Sequence, residues 1–290
     1  MFSPKGRCIY RHNPLAEVIC QLRFPEILAI GARPPVDFQE AIRNEFPLYN
    51  PKQEVSAPKI TGIPGHFSLE NRPATINYQF SSSDGVWRVN LTSKFISLSC
   101  SRYTCWEDFA RRLDKPLAAF IQVYKPAHFE RVGLRYLNFI SRKSLELEDV
   151  PFASLIESCY LGPLAENDVA EQAFARCNID IETAIRGGCR LKLHAGPGLI
   201  KKPGQADNEI KFIFDQDLFM PGNIPVNHSA GALQTLHSQS YSIFRGAITD
   251  VLHEAMGPQP LSGGILCILI GPISSSFFLV CCSHYGQVPM

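Results

Sequence analysis

Charge is scarce in this chain. Asp, Glu, Lys and Arg make up 19% of its 290 residues, and they balance to a net +1. A surface coated throughout for a polyanion is thereby excluded, although a local basic face is not. Beyond Glu254 there is no Asp, Glu, Lys or Arg at all. Familiar catalytic fingerprints are missing too: no Gly-x-Ser-x-Gly elbow, no Walker phosphate loop, no His-Glu-x-x-His and no dinucleotide glycine pattern. The expectation is a protein with no cofactor and no recognisable catalytic motif. Its ten cysteines include no Cys-x-x-Cys pair and no Cys/His cluster at zinc spacing. Cys20, within EVICQLRF, sits where a small buried hydrophobe would serve, so the thiols are expected to be reduced, in a cytoplasm. The N-terminal MFSPKGRCIYRHNP lacks the apolar run of a secretory signal.

What is present is alternation. In residues 15–24, Val18, Cys20, Leu22 and Phe24 face one side and Glu17, Gln21 and Arg23 the other, the pattern of a half-buried strand. A short amphipathic helix is predicted over residues 36–46 and a loop over 48–73, with one short strand near 65–69. Strands 75–81 and 86–92 flank an Asp84-Gly85 turn, and a third follows at 95–101. Residues 106–124 have helical periodicity, with a kink or break expected near Asp114–Lys115 because Pro116 lacks the amide proton and clashes with the preceding turn. HFERVGLRYLNFI, residues 128–140, is the longest strand signal. Val132, Leu134 and Tyr136 lie on one face and Arg131 and Arg135 on the other.

The second half predicts a short helix at 152–160 and strands at 169–183, 189–195 and 209–214. A Gly/Lys/Pro-rich loop, GPGLIKKPGQADN, separates the last two strands, and a long helix follows over 229–256. These elements imply an α+β fold: two similar-sized lobes of mostly antiparallel sheet with helices packed on one face. The division expected is residues 1–142, residues 143–258 and an uncharged apolar tail, 259–290. Within the tail, LSGGILCILIGPISSSFFLVCC approaches the length of a membrane span, but Gly271-Pro272 and three serines interrupt it and no basic flank anchors it. A terminal strand pair is the expectation, with membrane contact through the tail as the competing reading.

Taken literally, alternation puts a set of cations on one sheet surface: Arg23, Arg88, Arg131, Arg135, Arg190, Lys192 and Lys211. Guanidinium groups bind phosphate oxygens bidentately, so a continuous face of this kind could hold a phosphate-containing ligand or RNA. The plainer alternative is a solvated sheet face carrying long amphipathic side chains. Asp215 and Asp217, read at a strand end, form an Asp-x-Asp pair that can hold a metal ion, or merely cap a turn. On the last helix, Asp250 and His253 lie one turn apart, with His237 further back; an exposed helical contact is the plainer reading. Cys105 could act as a nucleophile only beside a histidine, and none is local.

In the order NPLAEVICQLRF, YTCWEDFARRL, ERVGLRYLNFI, IKFIFDQDLF and LHSQSYSIFRGAITDVLHEAMG, the chain resembles a sporadically distributed family of uncharacterised bacterial proteins, over about residues 13–257. The resemblance implies a bacterial or phage-borne cytoplasmic protein of the kind found among mobile or defence-linked genes. With catalytic motifs absent, it also implies a non-enzymatic interaction or regulatory component whose protein partner is encoded nearby.

Overall fold

The computed structural model of the chain describes residues 1–54, 59–63, 66–70, 75–166, 168–200 and 208–260. In chain order the first half comprises β1 (Cys8–Tyr10), β2 (Leu15–Arg23), α1 (Leu28–Ala32), α2 (Val36–Ile42), β3 (Leu48–Glu54), β4 (Lys59–Ile63), β5 (His66–Glu70), β6 (Thr75–Ser81), β7 (Trp87–Leu91), β8 (Phe95–Cys100) and α3 (Trp106–Tyr124). β9 (Phe129–Ile140), β10 (Ile179–Ala184), β11 (Arg190–Leu199), β12 (Ile210–Ile224), α4 (Ser229–Arg245), α5 (Asp250–Ala255) and β13 (Pro258–Pro260) follow.

The fold is α+β. Nine strands form one antiparallel sheet in the order β10-β11-β12-β9-β2-β8-β7-β6-β3, beside two-stranded pairs β1-β13 and β4-β5. β9 sits between the contributions of the two halves of the chain, pairing with β12 on one side and β2 on the other. Its apolar face, with Val132, Leu134 and Tyr136, is buried, and the core beneath runs continuously across both halves. α3 and α4 cover that face. Phe120 of α3 lies 4.6 Å from Phe24, and Phe244 of α4 lies 6.0 Å from Phe214, centroid to centroid. Burying rings of this size supplies much of the driving force that holds helix to sheet.

Several local expectations are corrected. α3 runs unbroken through Pro116, whose side chain is buried with Phe109, Leu113, Leu117 and Phe120; burial of that apolar face outweighs the missing amide hydrogen bond. The long helix expected at 229–256 is two helices. Gly246 ends α4 where the N-terminal segment passes so close that an added Cβ would lie 2.4 Å from the Met1 carbonyl oxygen. Thr249 then caps α5 by accepting from the Leu252 amide. Residues 152–160 form short 3₁₀ turns rather than a helix. The strand expected at 169–183 is confined to β10, while β11 continues through the Gly-Pro-Gly to Leu199. β3 was expected as loop; it is a fully exposed edge strand that tolerates Pro51 because its outer side needs no amide donor. Most of the loop after Leu199 and the apolar tail beyond Pro260 lie outside the described residues. Among the described residues, no helix is long and apolar enough to cross a membrane.

Candidate functional site: the open sheet face and the cavity beneath it

Cross-strand partners in an antiparallel sheet share a face, so the register decides whether the expected cations converge. Arg23 opposes Arg131 and Gln21 opposes Gly133 across β2 and β9. Arg135 opposes Asp217, which opposes Lys192, and Phe219 opposes Arg190. Arg88 opposes Ser99, which opposes Ile19 of β2. Lys211 opposes Gly198 and stands on the same side of β12 as Asp215 and Asp217. All seven cations therefore do lie on one surface, opposite α3 and α4.

That surface is not simply basic, because the strands also bring carboxylates to it. Arg131 Nη2 donates to both carboxylate oxygens of Asp217, at 2.6 and 2.7 Å. Arg135 binds Asp215 through Nε at 2.7 Å and again through Nη2. Arg190 and Lys192 share Glu182 at 2.9 and 3.4 Å, Lys211 pairs with Glu209 at 3.5 Å, and His194 shares a hydrogen bond of 2.8 Å with Asp180. Arg23 and Arg88 have no ion-pair partner among the described residues. Gly133 explains the pose of Arg131: a Cβ there would lie 2.2 Å from Arg131 Nη1, so only glycine lets the guanidinium lie flat along the sheet. In that pose it sits 4.5 Å over the ring of Phe219.

The Asp-x-Asp pair is corrected accordingly. β12 extends to Ile224, so Asp215 and Asp217 are mid-strand rather than beside a loop, and each is occupied by an arginine. Among the described residues no cluster of three or more His, Cys, Asp or Glu could hold a metal ion. The ion pairs also make a stability prediction. A double-mutant cycle on Arg131 and Asp217, with side chains 18% and 29% exposed, should give a coupling of about 1 kcal/mol. The pair Arg135–Asp215, whose arginine is 45% exposed, should give less, since solvent screens it. Urea unfolding of the four proteins in each cycle is the check.

A second site lies on the other side of the sheet, and sequence reasoning did not find it. A half-open cavity of about 80 Å³ is lined by residues of β9, β12, α4, the approach to α3 and the segment around β1. Tyr136 reaches into it from β9 and shares a 2.8 Å hydrogen bond with His237 Nδ1 of α4. Trp106 stacks on the His237 ring at 4.6 Å and donates its indole N–H to Gln234. Burial holds the His237 pKa down to about 3, with the Arg7 charge adding to the effect and Glu107 opposing it. Tyr136 is pushed well above the usual phenol range, first by burial. Arg7 and Glu107 form a bidentate pair at 2.7 and 2.8 Å, and that hydrogen bond is the main cause that lowers Glu107 to about 2.

Cys105 lines the same cavity as His237, so the fold supplies from α4 the histidine that was absent locally; the ring's own partners, however, are Tyr136 and Trp106. Asp250 and His253 do not form a pair. Asp250 binds Lys5 and Arg245, and His253 Nδ1 shares a 2.9 Å hydrogen bond with Tyr10.

Among the described residues, the geometry defines an antiparallel α+β protein with α3 and α4 on one face of its sheet and a ladder of ion pairs across the other. No family model, curated protein or solved structure matches the chain.

Proposed function

We propose that the protein is a non-enzymatic interaction or regulatory component that receives a protein partner on the open face of its nine-stranded sheet. The observation that carries this reading is the cross-strand ion pairing. A face built for RNA or polyphosphate gains affinity from cations free to replace counterions, whereas here Arg131, Arg135, Arg190, Lys192 and Lys211 are engaged by carboxylates. The pairing fixes long side chains before a partner arrives, which lowers the entropy lost on binding. Partly buried Ile19, Leu137, Phe139 and Ile213 stand among those charges, and apolar residues set within a polar, arginine-bearing rim are what protein interfaces use.

The resemblance to a patchily distributed bacterial family adds that the partner is encoded nearby, in a defence or toxin–antitoxin-like setting, and that the pair works in the cytoplasm. Expressed together with its neighbouring genes, the tagged full chain should retain one stoichiometric partner. Phe139→Glu and Ile19→Glu should each weaken retention at least about tenfold, the scale of one interface contact, with melting temperatures recorded alongside. Retention unchanged by both, in folded protein, contradicts this reading. Arg23 and Arg88 favour a second, lesser reading, in which these two cations contact phosphate oxygens of a nucleotide or RNA.

A further inference from the structure

We propose that the protein partner seats an acidic side chain, the carboxylate of a glutamate or aspartate, in an open depression of the sheet face beside Arg23 and Arg131. The inference rests on the partner reading above and names the chemistry that the partner brings. The depression measures about 480 Å³, within the usual range of binding clefts. Gly133 and Phe219, both buried, form its floor, and the missing side chain of Gly133 is what lets the Arg131 guanidinium lie flat there.

Charge is out of balance at this place. Four cations line the depression, Arg23, Arg131, Arg135 and Lys192, against one carboxylate, Asp217. Asp217 is taken by Arg131, Arg135 is neutralised by Asp215, and Lys192 shares Glu182 with Arg190. Arg23 is left exposed and without an ion-pair partner among the described residues. It also stands directly opposite Arg131, and like charges opposed across a strand pair repel. Its other neighbours offer no relief. β7 and β8 hold no Asp or Glu, and Glu26, just past the end of β2, is engaged by Lys94. A carboxylate from outside would relieve the repulsion and satisfy Arg23, since guanidinium and carboxylate match donor to acceptor. Arg131 can add to the contact, because its Nη1 holds only a long 3.4 Å bond to Gln21. The surplus is local, which suits a single acidic side chain rather than a run of phosphates.

The test titrates the full chain with a capped peptide bearing two glutamates, with its glutamine counterpart and with inorganic phosphate. Arginine Nε–H signals, assigned with Arg23→Gln, report binding by NMR. The glutamate peptide should shift the Arg23 signal saturably at millimolar concentration. The glutamine peptide should bind at least about tenfold more weakly, as should the glutamate peptide to Arg23→Gln. That variant should not lower the melting temperature, because it removes a repulsion and breaks no ion pair. In the co-expressed complex, Arg23→Glu should weaken retention of the partner at least about tenfold. An unmoved Arg23 signal, equal binding of the two peptides, or a partner that Phe139→Glu releases and Arg23→Glu retains would each overturn this proposal alone. Phosphate bound more tightly than the glutamate peptide would overturn it in favour of phosphate contact at Arg23. A wild-type chain that retains no stoichiometric partner would overturn the underlying reading as well.

Discussion

Acidification from pH 6.5 to about 4.5 should cost the protein about 2 kcal/mol of stability through His237 alone. The ring is 6% exposed and its pKa is held at about 3 against an ordinary value of 6.5. Between those values the unfolded chain binds a proton that the folded chain does not, so stability falls as pH falls and the full effect is present above the ordinary value. His253 is shifted in the same direction, first by burial, and Glu107 and Asp250 lose their ion-pair contributions only at still lower pH, since both are depressed to about 2. The contribution of His237 is therefore isolated by difference. Urea unfolding of wild type and His237→Phe across this range should show the steeper decline in wild type, while the variant keeps an aromatic ring against Trp106. Parallel curves would mean that His237 takes up a proton as readily folded as unfolded.

Trp106→Ala should be the most damaging single truncation near the cavity, at roughly 3–5 kcal/mol. Its ring is 6% exposed, stacks on both Phe109 and His237, and donates to Gln234. It therefore joins α3 to α4 across the rim of the cavity. The same truncation opens His237 to water, and relief of that burial should move the histidine pKa back toward 6.5. Calorimetry gives the first effect and histidine ring proton titration by NMR the second. A large loss of stability with an unmoved His237 would show that Trp106 supports the core without shielding the ring.

The α+β architecture was legible because alternation is local. Val18, Cys20 and Leu22 on β2, and Val132, Leu134 and Tyr136 on β9, declare their buried side from the sequence, and the coplanarity of the seven cations follows from the same period once the strands pair in register. What alternation does not carry is the pairing itself. Asp215 and Asp217 lie on the same face as Arg131 and Arg135, but only the adjacency of β9 and β12 turns a basic platform into a ladder of ion pairs. The cavity was hidden for a related reason. Tyr136 reads as an apolar-face residue and His237 as one polar position on a helix, and their meeting depends on how α4 crosses the sheet. Pro116 and Gly246 misled in opposite directions, since packing carried α3 through its proline and the N-terminal segment ended α4 at its glycine.

On the proposed function, the ion-paired face works on a protein surface rather than on a polyanion. The most direct test of this is binding of polyphosphate and single-stranded RNA to wild type and Arg135→Ala as a function of salt, run beside partner retention by Phe139→Glu. Polyanion binding should be weak, with a salt slope that Arg135→Ala leaves unchanged because that guanidinium is committed to Asp215, and Phe139→Glu should lose the partner. Tight polyanion binding whose salt slope falls by about one counterion in Arg135→Ala, with the partner still retained by Phe139→Glu, would contradict it.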